Sequence, residues 1–425
     1  MRAQLHAAIA AKAEAIVALT CALIRMPTIN PPGDAYRPCA EAIATRLRPR
    51  GFTTWLIRAE GTPGDSDRYP RTNVLARHEG RRPGPCVHFN GHIDVVAAGQ
   101  GWRYPPFEPV IEAGRIYGRG ACDMKGGLAA AIVAVETLIE QVPDFAGALE
   151  ISGTVDEESG GYGGVAHMAR QGLFSKPRVD HVIIPEPLQV DRVCIGHRGV
   201  YWAEIETHGR NAHGSMPFLG TCAVRHMGAV IERIERELLP ALAARHTAMP
   251  VVPDAARAST LNINSIHGGQ DPAEADGLPS PCVPDSCRMI VDRRFLAEER
   301  LDEVKAELRA LLEALRAERH DFRYSLRDVM EVLPSLTPVD SPLVQALQRE
   351  LTHLFGRQPD LVCSPGTYDQ KHIQRIGHLQ HCVAYGPGRL ELAHQPDEWV
   401  AIDDLVKSAQ VMAMTAHSLL HGDKR

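Results

Sequence analysis

Carboxylates and imidazoles gather in five short clusters of this 425-residue chain, each where an apolar run stops. The first is Phe89-Asn90-Gly91-His92-Ile93-Asp94. Residues two apart in a strand share a face, so Asp94 can reach the His92 ring and fix its tautomer while the other ring nitrogen binds a metal. Alone, the pair reads equally well as a satisfied buried histidine at a strand end. The second runs from Gly118 to Gly127 and holds Asp123 among glycines just before an Ala-rich stretch. Glycine lets the backbone turn tightly there, although an aspartate before a helix can also be a plain N-cap.

The third cluster, Thr154-Val155-Asp156-Glu157-Glu158-Ser159-Gly160-Gly161, sets three acids side by side, which is costly unless cations compensate. Neighbouring side chains diverge, so one glutamate can ligate a metal while the other takes a proton from water. An exposed acidic loop is the plain alternative. Glu186 follows between Pro185 and Pro187, and His394 stands in Leu392-Ala393-His394-Gln395-Pro396. Two histidines, one aspartate and two glutamates form the ligand inventory of a borderline divalent metal such as zinc, manganese or cobalt. One ion or two would fit, and a dinuclear site bridged by Asp123 fits best.

Positioning these groups requires strands that end together. Apolar runs at Thr72 to Arg77, Cys86 to Asn90, Ala148 to Val155 and His181 to Pro185 alternate with helix patterns at Leu5 to Ile24, Tyr36 to Arg50 and Gly126 to Gln141. This alternation predicts an α/β domain on a mixed, mostly parallel sheet, with the binding crevice at the carboxyl ends of the strands. From about Cys194 the pattern changes. Tyr201 to Thr207 alternates with period two, a helix is expected over Thr221 to Arg245, and strands over Ser259 to Ile266 and Arg288 to Phe295. A helix over Glu298 to Arg316 then leads back. The expected layout is a catalytic domain at 1–195 and 306–425, split around an inserted α+β domain at 196–305.

A net charge of −6, with scattered basic residues, offers no footprint for nucleic acid. No uninterrupted apolar run is long enough to span a bilayer, and Lys12 and Glu14 interrupt the N-terminal apolar stretch that could mimic a signal peptide. None of the 10 cysteines forms a close CxxC pair. A cytoplasmic protein with reduced thiols, acting on a small molecule, is the expectation.

In order and wording the five clusters resemble the metallopeptidase family of acetylornithine deacetylase, succinyl-diaminopimelate desuccinylase, aminoacylase-1 and carboxypeptidase G2. The likeness runs from Asn30-Pro31-Pro32-Gly33 to Gln395-Pro396. It implies a zinc-peptidase-like catalytic domain, with His92, Asp123 and Glu186 holding one metal and Asp123, Glu158 and His394 the other. By the same resemblance Glu157 is the general base, Asp94 orients His92, and the peptide after Asp123 is cis. The inserted domain would be a lid and homodimer interface, with His213 reaching the partner's active site to polarise the scissile carbonyl. Arg198, Asn262 and Arg294 match groups that steady substrate, or serve as lid salt bridges and surface residues. Where desuccinylase-like members read glycine-threonine-serine-aspartate and then an arginine for the substrate carboxylate, this chain reads Gly366-Thr367-Tyr368-Asp369-Gln370-Lys371-His372. Lys371 would neutralise a carboxylate as a point charge, without the two-pronged guanidinium geometry. The reading is hydrolysis of a carbon–nitrogen bond in a small carboxylate-bearing substrate, most simply removal of an N-acyl group. Its competitors are a hydrolytic deaminase of an amino-aromatic acid such as nitroanthranilate, with Tyr368 and His372 lining the ring pocket, and a metal-binding module without turnover.

Overall fold

The computed structural model describes residues 1–269 and 280–421. It divides into two compact units, the larger formed by Met1–Gly196, Leu336–Val362 and Tyr368–Arg425, the smaller by His197–Ser335 and Cys363–Thr367.

A mixed sheet of nine strands is the frame of the larger unit. Thr53–Arg58 and Thr72–Glu79 are antiparallel at one side, and Thr72–Glu79 pairs antiparallel with Ala146–Thr154. The centre is parallel, in the order Ala146–Thr154, Arg82–His92, His181–Ile184 and Cys382–Ala384. Four chain segments therefore leave the sheet at the same edge, and these are the segments that lead to Glu157, His92, Glu186 and His394. Lys125–Gln141 covers the sheet as a helix that is buried from Lys125 through Leu138. Its first turn can lie close because Gly127 has no side chain: a Cβ there would stand 2.0 Å from the Pro185 carbonyl oxygen.

The apolar N-terminal stretch forms two helices rather than one, Arg2–Ala10 and Ala13–Ile24, bent by 53°. The bend lets Leu5, Ile9, Ile16, Leu23 and Ile24 all bury. Among the described residues no single helix is long and apolar enough to cross a membrane.

The smaller unit is an antiparallel sheet in the order Thr260–Gly268, Ser286–Phe295, Gly199–His208, Arg323–Val332. Tyr201, Ala203 and Ile205 point to its core, where they meet Met227 and Val230 of Ala223–Arg233 and Leu308 and Leu312 of Leu301–Glu318. The sequence ends this domain at 305, yet the unit continues to Ser335. The reason is pairing: Arg323–Val332 runs antiparallel to Gly199–His208 from Arg323↔His208 to Val332↔Val200. The helix expected over Thr221 to Arg245 is also interrupted, with a wider π turn at Ile234–Leu238 before Leu239–Ala243. Pro240 has no N–H to donate and its ring crowds the carbonyl one turn back, so the α pattern cannot pass through it.

Candidate active site

Asp123 sits between two imidazoles. Its Oδ1 lies 3.0 Å from His92 Nε2 and its Oδ2 lies 3.4 Å from His394 Nε2. Glu186 Oε1 is 3.8 Å from His92 Nε2, and Glu158 Oε2 is 3.0 Å from His394 Nε2. His92, Asp123 and Glu186 thus form one group of potential ligand atoms, and Asp123, Glu158 and His394 a second that shares Asp123. Ligand atoms about 2.1 Å from one tetrahedral ion stand about 3.4 Å apart, so these separations suit a cation in each group. The donor set, imidazole and carboxylate without thiolate, fits the same borderline metals.

The electrostatics agree. Burial disfavours a charged His92, but Asp123, Glu186 and Asp94 outweigh it and raise its pKa well above the ordinary value. Hydrogen bonds to Asp123 and Glu158 lift His394 to about 10. Burial, with the Asp123 charge, lifts Glu158 to about 7 and Glu186 well above the carboxylate range. Asp123 goes the other way: burial alone would raise it, but both histidines hold it below its usual value. A pocket this crowded with carboxylates favours a divalent cation.

The three neighbouring acids are compensated one by one. Asp156 has a positive φ of 63° and accepts from Arg71 Nε at 3.1 Å and Tyr36 Oη at 3.0 Å. Glu157 Oε1 pairs with Lys371 Nζ at 2.8 Å, and Glu158 faces His394. Breaking a buried pair such as Arg71–Asp156 by removing one partner costs about 3–5 kcal/mol, so this corner is rigid.

Several expected contacts take another form. His92 Nδ1 is 3.0 Å from the Asp94 main-chain oxygen and 3.6 Å from the Asp94 carboxylate. The carboxylate is engaged elsewhere, accepting from the backbone N–H groups of Glu157 (3.2 Å) and Glu158 (3.1 Å) and from Asn30 Nδ2 (3.0 Å). The main-chain contact still leaves Nε2 directed at Asp123. Lys371, expected to meet a substrate carboxylate, is committed to Glu157 and is buried. Tyr368 and His372, expected as pocket residues, turn inward: the Tyr368 hydroxyl donates to Gln370 Oε1 at 2.6 Å, and His372 Nε2 lies 2.7 Å from the Gly160 carbonyl oxygen. The Asp123–Met124 peptide is cis.

The remaining candidates lie in the smaller unit. His213 is exposed, and its Nδ1 accepts the Ser215 N–H at 3.1 Å, which leaves Nε2 as the protonated, donating nitrogen. Arg198 donates to the carbonyls of Pro365 (3.1 Å) and Ala258 (2.9 Å), and burial together with the Arg294 charge lowers its pKa to about 10. Arg294 grips Asp292 with two nitrogens at 2.7 and 2.9 Å, and Asn262 is exposed and donates to Asn264 Oδ1 at 2.8 Å. Gly366 and Thr367 are half-buried.

Sequence reasoning missed Glu398 and Arg119. The Glu398 carboxylate accepts the N–H groups of Gly120 (3.1 Å), Cys122 (2.8 Å) and Asp123 (3.0 Å). Its other oxygen meets Arg119 Nη1 at 2.6 Å, and Arg119 Nη2 reaches the His394 carbonyl at 3.3 Å. One buried ion pair thus fixes both the Asp123 and the His394 backbones. The only sequence signal was an acid four residues after His394.

Carboxylates and imidazoles gathered where the parallel strands Arg82–His92, Ala146–Thr154 and His181–Ile184 end suit a metal-dependent hydrolase. Residues 88–418 match Peptidase family M20/M25/M40, and the chain belongs to that family of metal-dependent hydrolases acting on amide and peptide C–N bonds. It is 31% identical over 402 residues to a succinyl-diaminopimelate desuccinylase of Stenotrophomonas maltophilia, covering 92% of this chain and 95% of the relative. The fold matches that of human carnosine dipeptidase 1 with a TM-score of 0.80 at 18% identity, covering 99% of each chain. It also matches the Bacillus subtilis YXEP protein, described as a dinuclear metal-binding peptidase of the M20 family, with a TM-score of 0.67 at 16% identity over 97% of this chain and 99% of that one.

Two outcomes are expected. Glu398→Ala weakens metal binding roughly 10- to 100-fold by releasing the Asp123 loop; unchanged affinity in a metal titration would refute the anchoring role. Glu158, at about 7 without a cation, must lose its proton to become a ligand. His394, at about 10, must do the same, so metal uptake releases protons and tightens as pH rises from about 6 to 10. Calorimetry in buffers of different ionisation enthalpy reads this directly, and a buffer-independent heat would contradict it.

Proposed function

We propose that the chain hydrolyses the amide bond of a small N-acylated amino acid, or a similar carboxylate-bearing substrate, with two divalent metal ions. Asp123 would bridge them, His92 and Glu186 completing one site and Glu158 and His394 the other. The observation that carries this reading is the Asp123 carboxylate, whose two oxygens address different imidazoles. When bound, the metals supply Lewis-acid polarisation of the carbonyl and an acidified water; zinc, manganese and cobalt all suit the donors.

Glu157 is the general base. It stands beside Glu158 on the loop held by Asp94, and no proposed metal contact uses it. Lys371, its buried partner, keeps the carboxylate oriented between turnovers. Glu157 takes the proton from water and delivers it to the leaving nitrogen. His213 donates through Nε2 to the developing oxyanion, supplied by a second copy in the homodimer that the family resemblance implies. With Lys371 committed, Arg198 and Asn262 are the proposed carboxylate-binding and substrate-steadying groups, Arg294 being occupied by Asp292. N-succinylated amino acids head the substrate panel, following the name of the 31%-identical relative. The amino-aromatic alternative relied on Tyr368 and His372, whose polar atoms are used internally. A cytoplasmic location is proposed with the enzyme, in keeping with 10 unbridged cysteines.

The homodimer reading rests on an outer strand, Thr260–Gly268, with Ile266 exposed (46%) two residues before Gly268, where a Cβ would stand 2.8 Å from the side chain of the exposed Val224 (40%). Among the described residues no strand pairs with its outer edge, and an unpaired strand edge is a pairing surface. Light scattering should give twice the 46.5 kDa chain mass, falling to one chain in Ile266→Lys/Val224→Lys; a monomeric parent protein would contradict the reading. Glu157→Gln should retain its metal and lose roughly 10²- to 10⁴-fold in kcat on the best panel substrate. Near-normal turnover would remove Glu157 from the base position.

A further inference from the structure

Central parallel strands are normally apolar on both faces, because both are buried. Here one face is not. Along Arg82–His92 and Ala146–Thr154 the facing pairs are His88↔Glu150, Asn90↔Ser152 and His92↔Thr154. All six residues are buried, and only His92 belongs to the proposed metal site. On the opposite face Val87, Phe89, Leu149 and Ile151 form an ordinary core.

The polar face is one continuous chain of hydrogen bonds. Arg77 Nη1 donates to Glu150 Oε1 at 2.9 Å, and Arg178 donates to the same oxygen. Glu150 Oε2 lies 2.9 Å from His88 Nδ1, and His88 Nε2 lies 2.7 Å from Ser152 Oγ. Ser152 donates to Asn90 Oδ1 at 2.7 Å, and Asn90 Nδ2 donates to Asp369 Oδ2 at 2.9 Å. Asp369 in turn heads the helix Gln370–Arg375, its carbonyl accepting the N–H groups of His372 (3.1 Å) and Ile373 (3.3 Å). The first turn of that helix carries Lys371, the partner of Glu157.

Burying a carboxylate, an imidazole and three more polar side chains is unfavourable compared with apolar packing of the same volume. A continuous polar chain does offer directional rigidity that apolar packing lacks. We propose that His88 is a positioning residue for the hydrolysis, acting through Ser152 and Asn90 on Asp369 and so on the Lys371–Glu157 pair. It touches neither substrate nor metal. The kinetic part of this inference rests on the amide-hydrolysis reading; the mechanical part does not.

The test compares His88→Phe, which keeps a ring against Phe174 (centroids 4.7 Å apart in the parent protein), with Ser152→Ala and the double variant. Each single variant should lower kcat about 10- to 100-fold, with KM and bound metal unchanged, because the base is misplaced rather than removed. The double variant should be no worse than the poorer single one, since both cut the same chain. Amide hydrogen exchange over 369–375 should quicken in all three. Parent-level kcat in both single variants, additive losses, or a loss matched by loss of metal would overturn the proposal. If His88→Phe does not fold, Ser152→Ala decides alone by the same kcat and exchange criteria. If the parent protein cleaves no N-acyl substrate, the functional reading falls. Exchange still decides the positioning claim, and unchanged protection of 369–375 overturns it.

Discussion

A carboxylate that faces two imidazoles with separate oxygens is the constraint around which the larger unit is arranged. Asp123 can hold that position only if its own backbone is fixed, and Glu398 fixes it through three N–H groups. Arg119 neutralises Glu398 and also holds the His394 carbonyl, so the two loops that carry the imidazole and its carboxylate share one anchor. The positive φ of His394, 64°, is a conformation a non-glycine residue adopts only when its surroundings impose it.

Around that centre, negative charge is managed residue by residue. Arg71, Lys371 and His394 each take one member of the run Asp156-Glu157-Glu158, so the acids point in three directions from one tight turn. Glu158 is thereby given to the ligand cluster and Glu157 to a cation of its own. The two roles proposed for the pair, ligand for Glu158 and base for Glu157, would then be separated by backbone geometry rather than by distance along the chain. Asp94 makes the separation firm by accepting both N–H groups of the pair.

Much of this was legible from the residues. A strand running into His-x-Asp and an acid between prolines each mark a strand end, and parallel pairing brings those ends together; the acid ringed by glycines instead follows Arg115–Tyr117, a strand of a separate antiparallel sheet. The glycines were readable as tight turns, and the structure adds close packing of Gly127 under Pro185. What could not be read were partners fixed by tertiary contact alone. Lys371 and Glu157 are 214 positions apart, and nothing local to Lys371 says that it faces a protein carboxylate rather than a substrate. Glu398 looked like one more loop acid. The strand Arg323–Val332 was missed although Arg323 to Arg327 alternate polar and apolar, because the alternation is only five residues long and breaks at Asp328, where the register shifts before Met330. The end of the smaller unit was placed too early for the same reason.

If two cations share Asp123, an anomalous-difference map from a crystal of the zinc-loaded enzyme should show two peaks flanking its carboxylate, one within bonding distance of His92 and Glu186 and the other of Glu158 and His394. A map with no peak beside Asp123, or with His92 and His394 both turned away from it, would contradict the claim.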